Sequence, residues 1–246
     1  MARDFIPGST QSMDVDSTPV TAAPFTIAAW IQSDHNFEST IFFVGDKDVA
    51  AHYWFLSLVD AGAGEDLLSF GAAAGGAEVT AEVTASFTDD GWHHVCGVET
   101  SATSRAAYLD GANKGTNATS REPAGADRIS IGRKGDSTPT AYMDGFIAEV
   151  AVWNVALSDA DVALLAKTTS PFLVVPQSLV FYAPLIGRYS PEIDIRGGAN
   201  LTLSASAPAV AAHPRIYNMS RPLLSKIVSP VAAGGIPFRT LMGVGT

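Results

Sequence analysis

Over its first two thirds the chain alternates between apolar and polar residues with a period of two. Phe25-Thr-Ile-Ala-Ala-Trp-Ile31 sets Phe25, Ile27, Ala29 and Ile31 on one side. In an extended chain successive side chains leave on opposite faces, so this is a strand with one face in a core. Thr40 to Val44 is a short apolar run closed by Gly45-Asp46, and Tyr53 to Val59 is rich in aromatic and aliphatic residues. Leu67–Phe70, Val79–Val83, Trp92–Val98, Ala106–Leu109, Ile129–Ile131 and Phe146–Trp153 continue the pattern. Short β-branched and aromatic segments between turn residues predict an all-β, two-sheet antiparallel sandwich.

Punctuation along the chain supports this. Asp110-Gly111 directly follows a strand pattern, and a type I′ hairpin turn requires positive φ at both central residues. Gly71 to Gly76 is rich in glycine and alanine and reads as a flexible turn. One helix is predicted, with Ser158 as its cap and Asp161 at the third position completing a capping box before Val162-Ala-Leu-Leu-Ala166. It is short and is expected to close one edge of the sandwich.

Composition divides the chain into three parts. Nine of the fourteen prolines lie beyond Ser170, whereas all four tryptophans (30, 54, 92, 153) precede it. Residues 1–170 therefore hold the large aromatic core, and 171–213 supply further strands, such as Leu179-Val-Phe-Tyr182, on or beside it. Residues 214–246 carry Arg215, Arg221, Lys226 and Arg239 and no acid, a charge of +4 in a chain of net charge −10. They also carry Leu223, Leu224, Ile227, Phe238 and Leu241 among prolines and glycines. Such a stretch cannot form a core of its own. It reads as an extended basic and apolar arm that docks on its own acidic body or on a neighbouring subunit.

Charge and cysteine usage narrow the function classes. An acidic chain with no basic stripe before the arm does not suit a nucleic-acid groove. Cys96 is the single cysteine, so no internal disulfide forms, and it is expected to be buried and inert. The N-terminal residues show no apolar signal-peptide core, and no apolar run is long enough to span a bilayer, which predicts a protein made in a cytoplasm.

Chemistry-bearing residues are sparse. His93 and His94 are adjacent in a strand, point to opposite faces and cannot chelate one metal together. Glu78 and Glu82 share one strand face but lack a carboxylate between them, so the close-set carboxylates of a glycosidase are missing and an enzyme is not expected. Asp46, Asp48, Asp136 and Asp144 lie in loops without calcium-ligand spacing, so no metal and no cofactor is expected. Tyr53, Trp54 and Tyr142 are candidate aromatic platforms for a sugar ring.

Five motifs occur in order. Phe25-Thr-Ile-Ala-Ala-Trp30 is similar to the F-T-I/V-x-x-W opening of laminin-G-like jelly-roll domains, of the concanavalin A-like lectin-glucanase type. Asp90-Gly-Trp-His-His-Val95 resembles their D-G-x-W-H-H-V strand, one residue short. Tyr108-Leu-Asp-Gly111, Ile131-Gly-Arg133 and Asp144-Gly-Phe-Ile-Ala-Glu-Val-Ala-Val-Trp153, followed by Ala156-Leu-Ser158, match the rest of the pattern. Phe181-Tyr-Ala-Pro-Leu185, Ser190-Pro-Glu-Ile-Asp194, Gly197 and Ala212-His-Pro214 resemble a tail that follows such domains in tailed-bacteriophage virion proteins.

The resemblance implies a non-enzymatic virion structural protein, a capsid decoration or cement protein on the capsid surface. Its partners would be the major capsid protein or other virion subunits, and copies of itself as a homo-oligomer such as a trimer. The alternative is a lectin-like module that holds surface glycans, on a virion or free. Neither reading involves nucleic acid or membrane.

Overall fold

The alternating segments become strands because each has one face to bury. The computed structural model describes residues 2–33, 38–60, 66–85, 91–187 and 189–216. Within them the strands are β1 (Ala2–Phe5), β2 (Met13–Val15), β3 (Phe25–Gln32), β4 (Ser39–Gly45), β5 (His52–Asp60), β6 (Asp66–Ala74), β7 (Ala77–Glu82) and β8 (His93–Ser101). They continue as β9 (Ser104–Leu109), β10 (Asn113–Asn117), β11 (Arg128–Ile131), β12 (Gly145–Trp153), β13 (Leu179–Ala183), β14 (Thr202–Leu203) and β15 (Ala209–Ala211). The helix α1 spans Asp159–Leu165. No helix among the described residues is long and apolar enough to cross a membrane.

Two antiparallel sheets result. Sheet A has the order β10-β9-β8-β3-β12-β1-β15, with β13 also paired to β12, and sheet B has the order β14-β2-β11-β4-β5-β6-β7. The expected inward face is the one observed: Phe25, Ile27, Ala29 and Ile31 lie in the core with Trp54, Phe70, Val95, Ile129 and Ile147. Phe25 meets Trp54 edge-on at 5.3 Å and Phe70 at 6.3 Å. The sheets approach closely where Gly97 of sheet A faces the Phe70 ring; a Cβ on Gly97 would come within 2.3 Å of it.

The punctuation behaves as expected, with one correction. Asp110 and Gly111 both have positive φ (52° and 73°) and turn β9 into β10. Ser158 caps α1 in a full capping box with Asp161. The glycine-rich run does not turn where expected. Residues 71–74 remain in β6, and only Gly75 and Gly76, with φ of 64° and 85°, make the turn. Gly71 is small for a packing reason, since the Phe55 ring lies where its Cβ would be.

The C-terminal segment is part of the sandwich. The strand β12 gives one edge to β1 at residues 145–147 and to β13 at residues 150–153. Between them Glu149 takes a positive φ of 56°, and the β12–β3 register shifts at this point. This β-bulge re-aims the strand and turns the Glu149 carboxylate toward the returning chain. Tyr182 Oη donates to Glu149 Oε2, and His213 Nε2 lies 2.9 Å from Oε1. Asp194 organises the return loop by accepting from the backbone N–H groups of Tyr182, Arg196, Gly197 and Ala199.

The outer face of sheet A is therefore covered. Ala28, Cys96, Tyr108, Ala151 and Trp153 pack against Val162 and Leu165 of α1 and against Val174 and Leu179. Trp153 donates its indole N–H to the Val174 carbonyl at 2.8 Å. The helix thus lies on a sheet face, not at an edge, because the aromatic residues there need a cover. Of the four tryptophans only Trp54 fills the space between the sheets; Trp153 is buried on the outer face, beneath the segment after residue 170. Burial pushes the Cys96 thiol well above the usual range, in keeping with an inert cysteine.

His94 yields a pH prediction. It is 2% exposed, stacks edge-on against Trp30 at 5.5 Å, and its Nδ1 has no hydrogen-bond partner. Burial lowers its pKa to about 4, only partly opposed by Asp110. The unfolded chain holds this proton more tightly, so the stabilisation is complete above about pH 6.5 and is lost as pH falls toward 4. The loss is expected to reach about 3 kcal/mol by linkage. Urea unfolding between pH 7 and 4 measures it, and His94→Leu should flatten that part of the slope.

Candidate functional site

The outer face of sheet B is buried at its centre, where Phe55 is 2% and Ser57 and Ser69 are 0% exposed, and carries a groove toward its exposed β7 edge. Here β5 and β6 present Phe55, Ser57 and Ser69, and β7 presents Glu78, Thr80 and Glu82, each spaced by two as the pleat requires. Phe43, Tyr53, Phe55 and Ala73 form a small apolar cluster at the centre. The loop between β11 and β12 lays Lys134 over it, with the ammonium 4.7 Å from the Phe55 ring centre and 5.8 Å from that of Tyr53. Lys134 Nζ donates to Glu38 Oε1 at 2.7 Å and to Glu78 Oε1 at 3.1 Å. Burial disfavours its charge, but Glu38 and Glu78 outweigh that and hold it above the usual lysine range. Tyr53 Oη donates to Glu78 Oε1 at 2.5 Å; burial, then this bond, raise the phenol above its ordinary value.

Beside the lysine lies an open groove of about 390 Å³, lined by Glu38, Phe55, Val59, Asp60, Ser69, Glu78, Thr80 and Glu82. Ser69 is fully buried at its floor, and its hydroxyl has no hydrogen-bond partner. A buried hydroxyl left unpaired costs about 1–3 kcal/mol, which a ligand hydroxyl reaching the floor would offset. An unpaired hydroxyl and several carboxylates in one groove suit a polyhydroxylated ligand.

The residues singled out in the sequence fall in different places. Trp54 is 1% exposed inside the core and offers no ring face to a sugar. Tyr53 is 5% exposed beneath Lys134, so it supports the groove without serving as a platform. Alternation alone could not separate the inward from the outward aromatic residue of β5. Tyr142 is half-buried in the loop before β12, apart from the groove lining. Glu78 and Glu82 do share the groove. Ser69, Glu38, Asp60 and Lys134 were missed: only the polar alternation along β6 could have flagged Ser69, and Lys134 sits in a loop without periodic signal.

His93 and His94 point apart as expected, with His93 Nδ1 2.9 Å from Asp110 Oδ2. Of the arm residues, Arg215 is described and exposed. Arg221, Leu223, Leu224, Lys226, Ile227, Phe238, Arg239 and Leu241 lie outside the described residues.

Calcium does not fit the one acidic cluster that the described residues bring together. Asp46, Asp48 and Asp127 bring carboxylate oxygens within 4.8 Å of one another. Lys47 already fills that space, its ammonium 2.5 Å from Asp127 and 3.1 Å from Asp48. The hydrogen bonds that it donates to both hold it charged, above the usual lysine range. Asp46 Oδ1 is taken by the backbone N–H groups of Asp48 and Val49. Asp136 caps the backbone of Ala51 and Thr138 instead.

The fold and groove define a jelly-roll sandwich with a polar groove on one side of sheet B. Residues 7–163 match the family model of the concanavalin A-like lectin/glucanases superfamily, and the chain belongs to it. No curated protein matches it in sequence. A Bacteroides ovatus protein, provisionally described as a carbohydrate binding protein, aligns with TM-score 0.60 at 23% identity, covering 88% of this chain and 61% of its own. A heptameric SAP-like pentraxin from Limulus polyphemus aligns with TM-score 0.58 at 17% identity, over 69% of this chain and 82% of its own. The CBM40 domain of the Ruminococcus gnavus IT-sialidase, bound to α2,3-sialyllactose, aligns with TM-score 0.53 at 14% identity, over 68% and 97%. At these identities the likeness is one of fold.

Proposed function

We propose that this chain is a non-enzymatic glycan-binding module whose site is the groove on sheet B. The observation that carries the reading is the unpaired Ser69 hydroxyl at the floor of an open, carboxylate-rimmed groove. The structural neighbours described as binding carbohydrate agree with it.

Catalysis is not favoured by the carboxylates. Glu78 and Glu82 are four residues apart on one strand, roughly 13 Å by strand rise, beyond the spacing of glycosidase pairs. Glu38 and Glu78 both accept from the Lys134 ammonium, which occupies the space between them. Thr80→Trp, which fills the groove from the edge strand β7, is expected to weaken glycan binding at least tenfold with an unchanged melting temperature. Calorimetry against array hits measures this. A glycan array without hits, or β-glucan hydrolysis by the wild type, would overturn the proposal.

A second reading is compatible with the first: the module is carried on a larger assembly, such as a tailed-phage capsid surface, by residues 214–246. The +4 charge and spaced apolar residues there, against an acidic body, favour it. Extended arms with apolar anchors bind neighbouring subunits in this way, and repetition over a lattice multiplies weak contacts. Ile216 packs against the Ala2, Trp30 and Ala148 cluster, so truncation after Ile216 leaves the clasp at His213 whole. That truncation is expected to lower particle or self-association at least a hundredfold in co-sedimentation while glycan binding persists. Unchanged association would refute the anchoring role.

A further inference from the structure

We infer that the groove selects sugars bearing free, protonated amino groups, such as unacetylated hexosamine oligomers, and rejects sialylated and uronic-acid glycans. The inference rests on the glycan-binding reading above and adds its chemical class. Glu38, Glu78 and Glu82 place three carboxylates on the groove walls, and among the described residues Lys134 is the cation bonded to two of them. Lys134 bonds Glu38 and Glu78 together, so its single charge is shared between those two carboxylates, and Glu82 has no cation beside it among the described residues.

The second observation is independent of charge. The Ser69 hydroxyl is fully buried, unpaired, and lines the groove floor between the Glu82 strand and β5. A floor hydroxyl and carboxylate rims are matched together by a sugar whose hydroxyl reaches down and whose ammonium reaches the rim. Glu82 is exposed and bonded by the Thr80 hydroxyl at 3.0 Å, which leaves acceptor capacity directed at solvent. A sialic acid would instead bring a carboxylate against carboxylates, the like-charge contact that rejects a wrong ligand. The ligand of the fold-sharing sialidase domain therefore does not transfer to this groove.

Calorimetry on the full chain at low salt tests this with three probes: the glucosamine hexamer with free amines, its N-acetylated counterpart, and α2,3-sialyllactose. The free-amine hexamer is expected to bind at least tenfold more tightly than the acetylated one, with the difference shrinking at high salt, and sialyllactose not at all. Glu82→Gln should weaken the free-amine hexamer three- to tenfold, whereas Glu122→Gln, which removes an exposed charge outside the groove, should change it less than twofold.

Equal effects of the two substitutions would show attraction by net charge alone and overturn the inference. Tighter binding of the acetylated hexamer or of sialyllactose would overturn it while leaving the glycan-binding reading intact. No binding of any glycan would overturn both.

Discussion

Arg105→Ala is expected to destabilise the fold by about 3–5 kcal/mol, because it strands a buried carboxylate. The Arg105 and Glu99 side chains are 0% and 1% exposed, at one end of the core. The guanidinium donates Nε to Glu99 Oε2 at 3.1 Å and one terminal nitrogen to Oε1 at 3.0 Å. It also donates to the carbonyls of Ala102, Thr119 and Arg121, which pins the loop after β10 to the sandwich. Burial already raises the Glu99 pKa, with Arg105 opposing it.

Without the arginine the folded carboxyl holds its proton more tightly than the unfolded one. The penalty of the variant should therefore shrink as pH falls and grow as pH rises through the folded pKa. The paired replacement Arg105→Met with Glu99→Leu should recover most of the loss, since hydrophobic substitutes for a buried pair are often neutral. Urea titration at two pH values measures all three. A single-variant loss below about 1 kcal/mol would mean that water reaches the pair.

Arg3→Ala is expected to release the C-terminal segment from the sandwich. Arg3 Nε donates to Glu192 Oε1 at 2.7 Å, with side chains 6% and 2% exposed. Its terminal nitrogens donate to the carbonyls of Pro208 and Tyr189, and Glu192 also accepts the Gly187 N–H. One guanidinium thus joins the first strand to three points on the returning chain. Removing it leaves Glu192 buried without its cation, again a loss of about 3–5 kcal/mol. For a chain of this size that lowers the melting temperature by roughly 6–20 °C. Limited proteolysis should then cut within 187–211 before the sandwich itself. A melting temperature within 2 °C of wild type would place the clasp elsewhere, with Glu149 and His213 as the next candidates.

Residues 25–31 show how far local pattern reaches. Alternation identified the strand, its length and its inward face, since period two is a property of the backbone and needs no partner. The Asp110-Gly111 turn and the Ser158 cap were legible for the same reason, as their hydrogen bonds close within a few residues. The short strands β1, β2 and β15 were not legible, whereas Leu201-Thr-Leu203 already read as a strand and holds β14. The three that were missed run three or four residues, and their pairing partners lie far along the chain.

The groove divides along the same line. Glu78 and Glu82 could be placed on one face from spacing alone. Whether that face was open could not, because it depends on which sheet the C-terminal segment covers. Trp54 and Tyr53, adjacent on β5, were equal candidates until packing sent one into the core and the other beneath Lys134.

By itself, then, the sequence determined the sandwich class, the inward face of β3, the Asp110-Gly111 turn, the Ser158 cap and the lack of a close-set catalytic triplet of carboxylates. These follow from interactions between near neighbours. The tertiary structure decided that residues 171–216 close one outer face, that Lys47 fills the acidic loop cluster, and that Lys134, Glu38 and Ser69 meet Glu78 and Glu82 in a groove. Those outcomes depend on contacts between residues tens of positions apart, and only the packed sheets bring them within hydrogen-bond reach.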